Sequence, residues 1–232
     1  MLEKILPYER ELFFLINGSH TGFTDSIMWL YSGGVIWVPM AILILFLLVY
    51  RQRWREWLPV LIAIAIMFVL CDQFASTVCK PYFARLRPTH YPGIEEHVRT
   101  LYGYAGGRYG FISGHAANAF GFASLTAFLF RNRYYSIMIY VWAFIMAYSR
   151  VYLGVHFVSD VVAGAIAGFS IGSLVYGMYL LYRKKAKKPI TGQCFDFKLR
   201  AKILTMTIIC YVPLFSVFGK QLISLSRINI FP

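Results

Sequence analysis

Residues 149–160 read "SRVYLGVHFVSD" and place an arginine, a histidine and an aspartate between two long apolar runs, 134–153 and 157–182. Ionisable groups are costly to desolvate beside hydrocarbon, and where a membrane chain keeps them they mark function. Each flanking run has the roughly 20 residues that cross about 30 Å of hydrocarbon. The stretch is therefore expected to be a short turn at one surface of a bilayer.

The remainder of the chain agrees. Of 232 residues, 59% are hydrophobic and 14% charged, which argues against an ordinary water-soluble globule. Further apolar runs near 27–50, 58–79, 112–130 and 203–222 bring the expected spans to six, the last interrupted by Pro213, Gly219 and Lys220. In residues 1–22, Leu2, Ile5, Leu6, Leu12, Phe13 and Ile16 alternate with Glu3, Lys4, Glu9, Arg10 and Glu11, the pattern of a helix lying in the interface. The expected fold is all-α: an integral membrane helical bundle of about six transmembrane helices with an N-terminal interfacial helix. A single domain over 1–232 divides into an interfacial segment (1–26), a helical core carrying the motifs (27–182), a basic cytoplasmic loop (183–202) and a final span and tail (203–232).

The basic residues set the orientation. Arg51, Arg53 and Arg55 follow the first run, Arg131 and Arg133 the third, and eight more in 183–202 the fifth, so thirteen of the 23 Lys and Arg lie on one side. Positive loops stay in the cytoplasm. The net charge of +13 is thereby assigned to topology, and nucleic acid is not an expected partner. The end of the second run, the start of the third, the end of the fourth and the start of the fifth then meet at the outer surface. Cys71, Cys79, Cys194 and Cys210 are scattered, with no CxxC spacing and no histidine cluster, so neither a zinc site nor a disulfide framework is expected. No metal or other cofactor is expected.

Three segments share that outer surface: "KPYFARLRP" (80–88), "SGH" (113–115) and 149–160. A phosphoryl group in transfer spreads negative charge over its equatorial oxygens, so catalysis is positioning plus electrostatic stabilisation. Lys80, Arg87 and Arg150 supply the cations, and Ser113 with Gly114 opens an apolar helix whose first N–H groups hold an anion. His156 and Asp160 stand four apart and share a helical face. The carboxylate holds one imidazole nitrogen and leaves the lone pair of the other for phosphorus. His156 is the expected nucleophile, and His115, beside the anion cradle, the expected general acid.

The order and spacing of these residues are Lys80 with six residues between it and Arg87-Pro88, then Ser113-Gly114-His115, then Ser149-Arg150 with five residues between it and His156 and three more between His156 and Asp160. This resembles the three-part signature of the type 2 phosphatidic acid phosphatase (PAP2) superfamily. The resemblance implies a metal-independent phosphatase passing through a phosphohistidine on His156, with Asp160 orienting it, His115 as acid, and Lys80, Arg87, Ser113, Gly114 and Arg150 binding phosphate. The usual pattern has proline before Ser-Gly-His, where this chain has Ile112, which bears on the turn geometry. Residues 1–26 and 183–232 lie outside the signature.

The expectation is a membrane lipid phosphatase of a bacterial inner (cytoplasmic) membrane with its site at the periplasmic face. Its partners are a lipid phosphate substrate and membrane lipids, with oligomeric state open. Lipid A phosphate or undecaprenyl pyrophosphate is the expected substrate, with phosphatidylglycerol phosphate or phosphatidic acid as the alternative. A lipid or anion transporter is the alternative from another class. Arg85, Arg99 and Arg108 read as snorkelling or headgroup contacts, and His20, His90 and His97 as loop histidines. Asp72, inside the second run, either orients Lys80 or makes a polar contact in the bundle. The tyrosines of the glycine-rich loop 89–111 are first of all membrane anchors, with a lid as the lesser reading. Gly164, Gly168 and Gly172 form a small-residue stripe that lets the fifth span pack closely inside the bundle.

Overall fold

The computed structural model describes residues 6–186, 200, 202–209 and 211. Among the described residues the regular elements are all helical, with one isolated bridge, Leu86 to Tyr109, in the long loop before Ser113. Helix α1 spans Leu6–Asn17 and α2 spans Gly22–Ser32, the latter started by a reciprocal cap between Thr21 and Thr24. The expected first span, 27–50, is not one helix. Gly33 closes α2 in an extended conformation, and the chain restarts as a 3-10 turn, Val35–Trp37, before α3, Val38–Val49. Pro39 in the first turn of α3 has no N–H to lose there, which favours a new start over a continued helix.

The second run is longer than its hydropathy indicated. Helix α4, Trp54–Gln73, passes through a π-helical turn, Phe74–Cys79, into α5, Lys80–Phe83. The whole is a 30-residue rod, about 45 Å at 1.5 Å per residue. Helices α6 (Gly114–Phe130), α7 (Arg133–Tyr152) and α8 (Val158–Lys185) follow. Among the described residues, Trp54–Phe83 and Val158–Lys185 are long and apolar enough to cross a membrane alone, and α3 is a shorter apolar helix. Their outward faces present Ile62, Ile66, Val69, Val162, Ile166 and Phe169, all exposed, as expected of a chain solvated by lipid. Residues 202–209 are helical, with Leu204 and Ile208 packed against the core; the rest of the expected last span and most of the basic loop lie outside the described residues.

Helix α6 is the axis of the bundle. It is walled by α8, α7 and α4, and it turns into α7 within Arg131-Asn132, where the Asn132 side chain accepts hydrogen bonds from Tyr134 N (3.0 Å) and Tyr135 N (3.1 Å). The glycine stripe of α8 lies directly on its backbone. A Cβ would come 2.5 Å from the Ser113 carbonyl oxygen at Gly164, 2.2 Å from that of Ala117 at Gly168 and 2.5 Å from that of Gly121 at Gly172. Only hydrogen fits there, and the two helices approach backbone to backbone. At the opposite end Arg183, fully buried, pairs with Glu56 at 2.6 Å and staples α8 to the start of α4.

Gly168→Val is expected to destabilise the fold by about 1–3 kcal/mol, the usual cost of forcing extra carbon into a packed core. Gly177→Ala, where a Cβ meets nothing within 4 Å, should not. Thermal unfolding of both variants in detergent checks this, and equal midpoints would contradict the packing described.

Candidate active site

The three motif segments arrive at one end of the bundle by separate routes. Lys80 stands at the exit of the π turn, a geometry that recurs at functional positions in helices. Residues 85–87 run extended beside 108–110, through Gly110 N to Arg85 O at 2.9 Å and Arg87 N to Arg108 O at 3.1 Å. In an extended segment i and i+2 share a side, so Arg85 and Arg87 both turn toward the start of α8. Ser113 caps α6 through its hydroxyl to Ala116 N, and its own N–H donates to Asp160 O at 2.9 Å, tying the starts of α6 and α8 together. Ile112, in place of the usual proline, is buried against Ala75 and Cys79, and the cap forms regardless.

His156 lies in the turn between α7 and α8 and is 1% exposed; Asp160, in the first turn of α8, is fully buried. His156 Nδ1 faces Asp160 Oδ2 at 3.4 Å, with the backbone of Gly110 on the same side of the ring. Gly110 has no room for a side chain: a Cβ there would sit 2.8 Å from Asp160 Oδ2 and 3.6 Å from His156 Nδ1. With Nδ1 held on this side, Nε2 is the nitrogen left for chemistry. Burial first, then the charges of Arg87, Arg150 and Lys80, hold the His156 imidazole well below its ordinary pKa, which keeps it neutral.

The cations gather around this pair. Lys80, Arg87, Arg150, His115 and His156 lie within electrostatic reach of one another. Arg87 donates to the carbonyls of Tyr109 (3.1 Å) and Val155 (3.3 Å). Arg150 donates to the hydroxyls of Ser32 and Tyr104, the latter at 3.2 Å, and its Nε is buried without a hydrogen-bond partner. Among the described residues, neither Arg87 nor Arg150 has a carboxylate at ion-pairing distance. His115, in the first turn of α6, is exposed at the mouth of the pocket. Among the described residues no group of three or more His, Cys, Asp or Glu is placed to hold a metal ion.

The structure thus gathers all eight expected site residues, and it corrects several readings around them. Arg85 is not a lipid-headgroup contact. It is 7% exposed, donates to Asp160 Oδ1 at 2.7 Å and Ser159 Oγ at 2.6 Å, and pairs with Glu9 of α1. Tyr104 is not simply a membrane anchor. Burial pushes its phenol up, but Arg150, by charge and hydrogen bond, with Arg87 and Lys80 outweighs that and leaves it below its ordinary value, so its oxygen sits where negative charge is favoured. His20 is a packed residue rather than a plain loop histidine: its ring stacks on Tyr152 at 4.2 Å and bonds Asp25 at 2.6 Å. Asp72 is exposed beside Ser76 (3.4 Å) and reaches Lys80 only through its charge. The signal for Arg85 was present in the sequence as the Arg-Leu-Arg alternation of 85–87; nothing local pointed to Glu9 or Tyr104.

Known proteins resemble this chain. The PAP2 superfamily pattern matches residues 57–184. The lipid A 4'-phosphatase of Porphyromonas gingivalis is 36% identical over 233 residues, covering 99% of each chain. That of Bacteroides thetaiotaomicron is 39% identical over 83% of this chain and 87% of its own. The crystal structure of Aquifex aeolicus LpxE superposes with a TM-score of 0.56 at 27% identity, over 73% of this chain and 95% of that one. With the motif residues assembled in one pocket and a relative aligned along nearly its whole length, this chain belongs to the PAP2 superfamily.

Proposed function

We propose that the protein is a phosphatase of lipid A, removing a phosphate at the periplasmic face of a bacterial inner membrane through a phosphohistidine on His156. The observation that carries this is the charge imbalance of the pocket. Arg87 and Arg150, with Lys80 beside them, stand without paired carboxylates around a neutral imidazole and the start of α6. Buried cations without counter-charge are costly, and a phosphate dianion offsets that cost while meeting the unpartnered Arg150 Nε. The activity for which the two relatives are named supports lipid A over undecaprenyl pyrophosphate, phosphatidylglycerol phosphate or phosphatidic acid.

The phosphate oxygens lie among Lys80, Arg87, Arg150 and the N–H groups of Ser113 and Gly114. Nε2 of His156 attacks phosphorus, the bond from phosphorus to the lipid oxygen breaks, and His115 gives that oxygen its proton. Asp160 holds Nδ1–H and stabilises the ring as positive charge develops. Water then attacks the phosphohistidine, His115 takes its proton, the P–N bond breaks and inorganic phosphate leaves. The basic residues Arg51, Arg53, Arg55, Arg131, Arg133 and Arg183–Lys185 follow or precede the ends of helices opposite the pocket, which supports a cytoplasmic face there and a site open sideways to the outer leaflet. We read 1–232 as one domain in which 27–182 carries the chemistry.

Purified protein in detergent with a chelator should release inorganic phosphate from lipid A faster than from undecaprenyl pyrophosphate, phosphatidylglycerol phosphate or phosphatidic acid in a side-by-side panel. A transporter would release none. His156→Ala should lower kcat by about a thousandfold or more, as loss of a nucleophile does, with the unfolding midpoint unchanged; near-wild-type turnover would reject the assignment. A histidine-selective 15N NMR titration of the empty enzyme should show His156 still neutral at about pH 6, where an ordinary imidazole of pKa about 6.5 is mostly protonated. The sign follows from the lowered pKa: the neutral, nucleophilic form persists as pH falls.

A further inference from the structure

Helix α1 buries one stripe, Glu9, Phe13 and Asn17, and each of these touches the segment that carries the nucleophile. Asn17 Nδ2 donates to Tyr152 O at 2.9 Å, before the turn. Phe13 packs on Phe157 with ring centroids 5.4 Å apart. Glu9, 6% exposed, accepts from Ser159 N at 3.0 Å through Oε2 and pairs with Arg85 through Oε1. A four-residue spacing thus spans the turn from the end of α7 to the start of α8.

The Glu9 contact solves two problems of the site. Phe157 at the start of α8 has no side chain able to accept a hydrogen bond, so the free N–H groups of the first turn need partners from elsewhere. Asp160 Oδ2 takes Phe157 N at 3.0 Å, and Glu9 takes Ser159 N. The second problem is the guanidinium of Arg85. It lies 4.5 Å over the Phe157 ring and divides its donors between Asp160 Oδ1, Ser159 Oγ and Glu9. Without a second carboxylate behind it, this guanidinium would be held on one side only. With Glu9 in place it has one orientation, and so does the Asp160 carboxylate that aims His156.

We propose that Glu9 is a positioning residue for phosphoryl transfer. Through Arg85 and the N-terminus of α8 it fixes Asp160, and hence the imidazole, so that the interfacial helix is part of the catalytic unit. This rests on His156 as the nucleophile and extends the site beyond the three motifs to a helix that precedes them by some seventy residues. Glu9 touches neither phosphate nor the reacting nitrogen. It therefore acts on kcat more than on substrate capture, since misplacing a reacting group by about 1 Å can cost on the order of a hundredfold.

The full-length protein in detergent, with lipid A and separately with para-nitrophenyl phosphate as substrates, provides the test. Glu9→Gln, which keeps shape but loses charge, should lower kcat by about 10- to 100-fold on both substrates with KM within about threefold. Arg85→Ala should lower it at least as much, Arg85→Lys should restore part of the loss, and the double variant Glu9→Gln/Arg85→Ala should be no slower than Arg85→Ala alone. Glu11→Gln, an exposed position on the same helix, should match the wild type. A folded Glu9→Gln enzyme with wild-type kcat, a rise confined to KM, or additive losses in the double variant would overturn the proposal. If a variant fails to fold, the Arg85→Lys kcat decides: no recovery over Arg85→Ala rejects the positioning role. If the wild type hydrolyses neither substrate, it is the phosphatase reading that fails; if it does and the Glu9 variants equal it, only the present inference fails.

Discussion

The site depends on one buried carboxylate. Asp160 is fully enclosed at the start of α8, and both of its oxygens are occupied: Oδ1 by Arg85, Oδ2 by Phe157 N and the His156 ring. Its backbone carbonyl accepts from Ser113 N, so the same residue ties the turn that opens α6 to the proposed nucleophile. A buried anion is tolerated only where its partners are fixed. Fixing them requires that α6 and α8 approach closely, which the glycines at 164, 168 and 172 permit. The chemistry at one end of the bundle is thus set by the absence of side chains along the middle of α8.

The pocket sorts its cations by what they face. Arg85 is compensated twice, by Glu9 and Asp160, and is spent on structure. Among the described residues, Arg87 and Arg150 donate to the oxygens of Tyr109, Val155, Ser32 and Tyr104, none of them a carboxylate. Those bonds orient the guanidinium planes without cancelling their charge, so positive potential remains for a ligand. Burial first, and then the same potential, depress the His156 pKa. On the proposed mechanism, the residues that would attract the phosphate therefore also help to keep the His156 ring unprotonated until it arrives.

Much of this was legible in the sequence, because apolar period and short polar motifs act locally. Lys80, Arg87, the Ser113–His115 turn, Arg150, His156 and Asp160 could be placed together from span parity alone. What escaped was of two kinds. Run 27–50 looked continuous in hydropathy, yet Gly33-Gly34 and Pro39 favour a break that an averaged window does not register. Arg85, Glu9 and Tyr104 escaped because their partners lie 75, 76 and 46 residues away, and a charge's partner at that distance is decided by packing rather than by sequence neighbours. The rule that an arginine near the membrane edge snorkels to headgroups fails for Arg85 because the extended pairing of 85–87 with 108–110 turns it inward.

A membrane enzyme of this design must admit a lipid without letting its catalytic turn loosen. The long helices cannot provide rigidity at their ends, where the last N–H and C=O groups lack helical partners and where hydrocarbon gives way to water. Here the segment 152–160 is held from three directions: Arg87 to Val155 O from the second-span loop, Ser113 N to Asp160 O from α6, and the Glu9–Phe13–Asn17 stripe from α1. None of these contacts uses the exposed faces of α4 and α8. Those faces can thus remain in contact with lipid while the histidine proposed as nucleophile is braced from behind, and this separation lets a hydrophobic bundle hold a buried imidazole in one orientation.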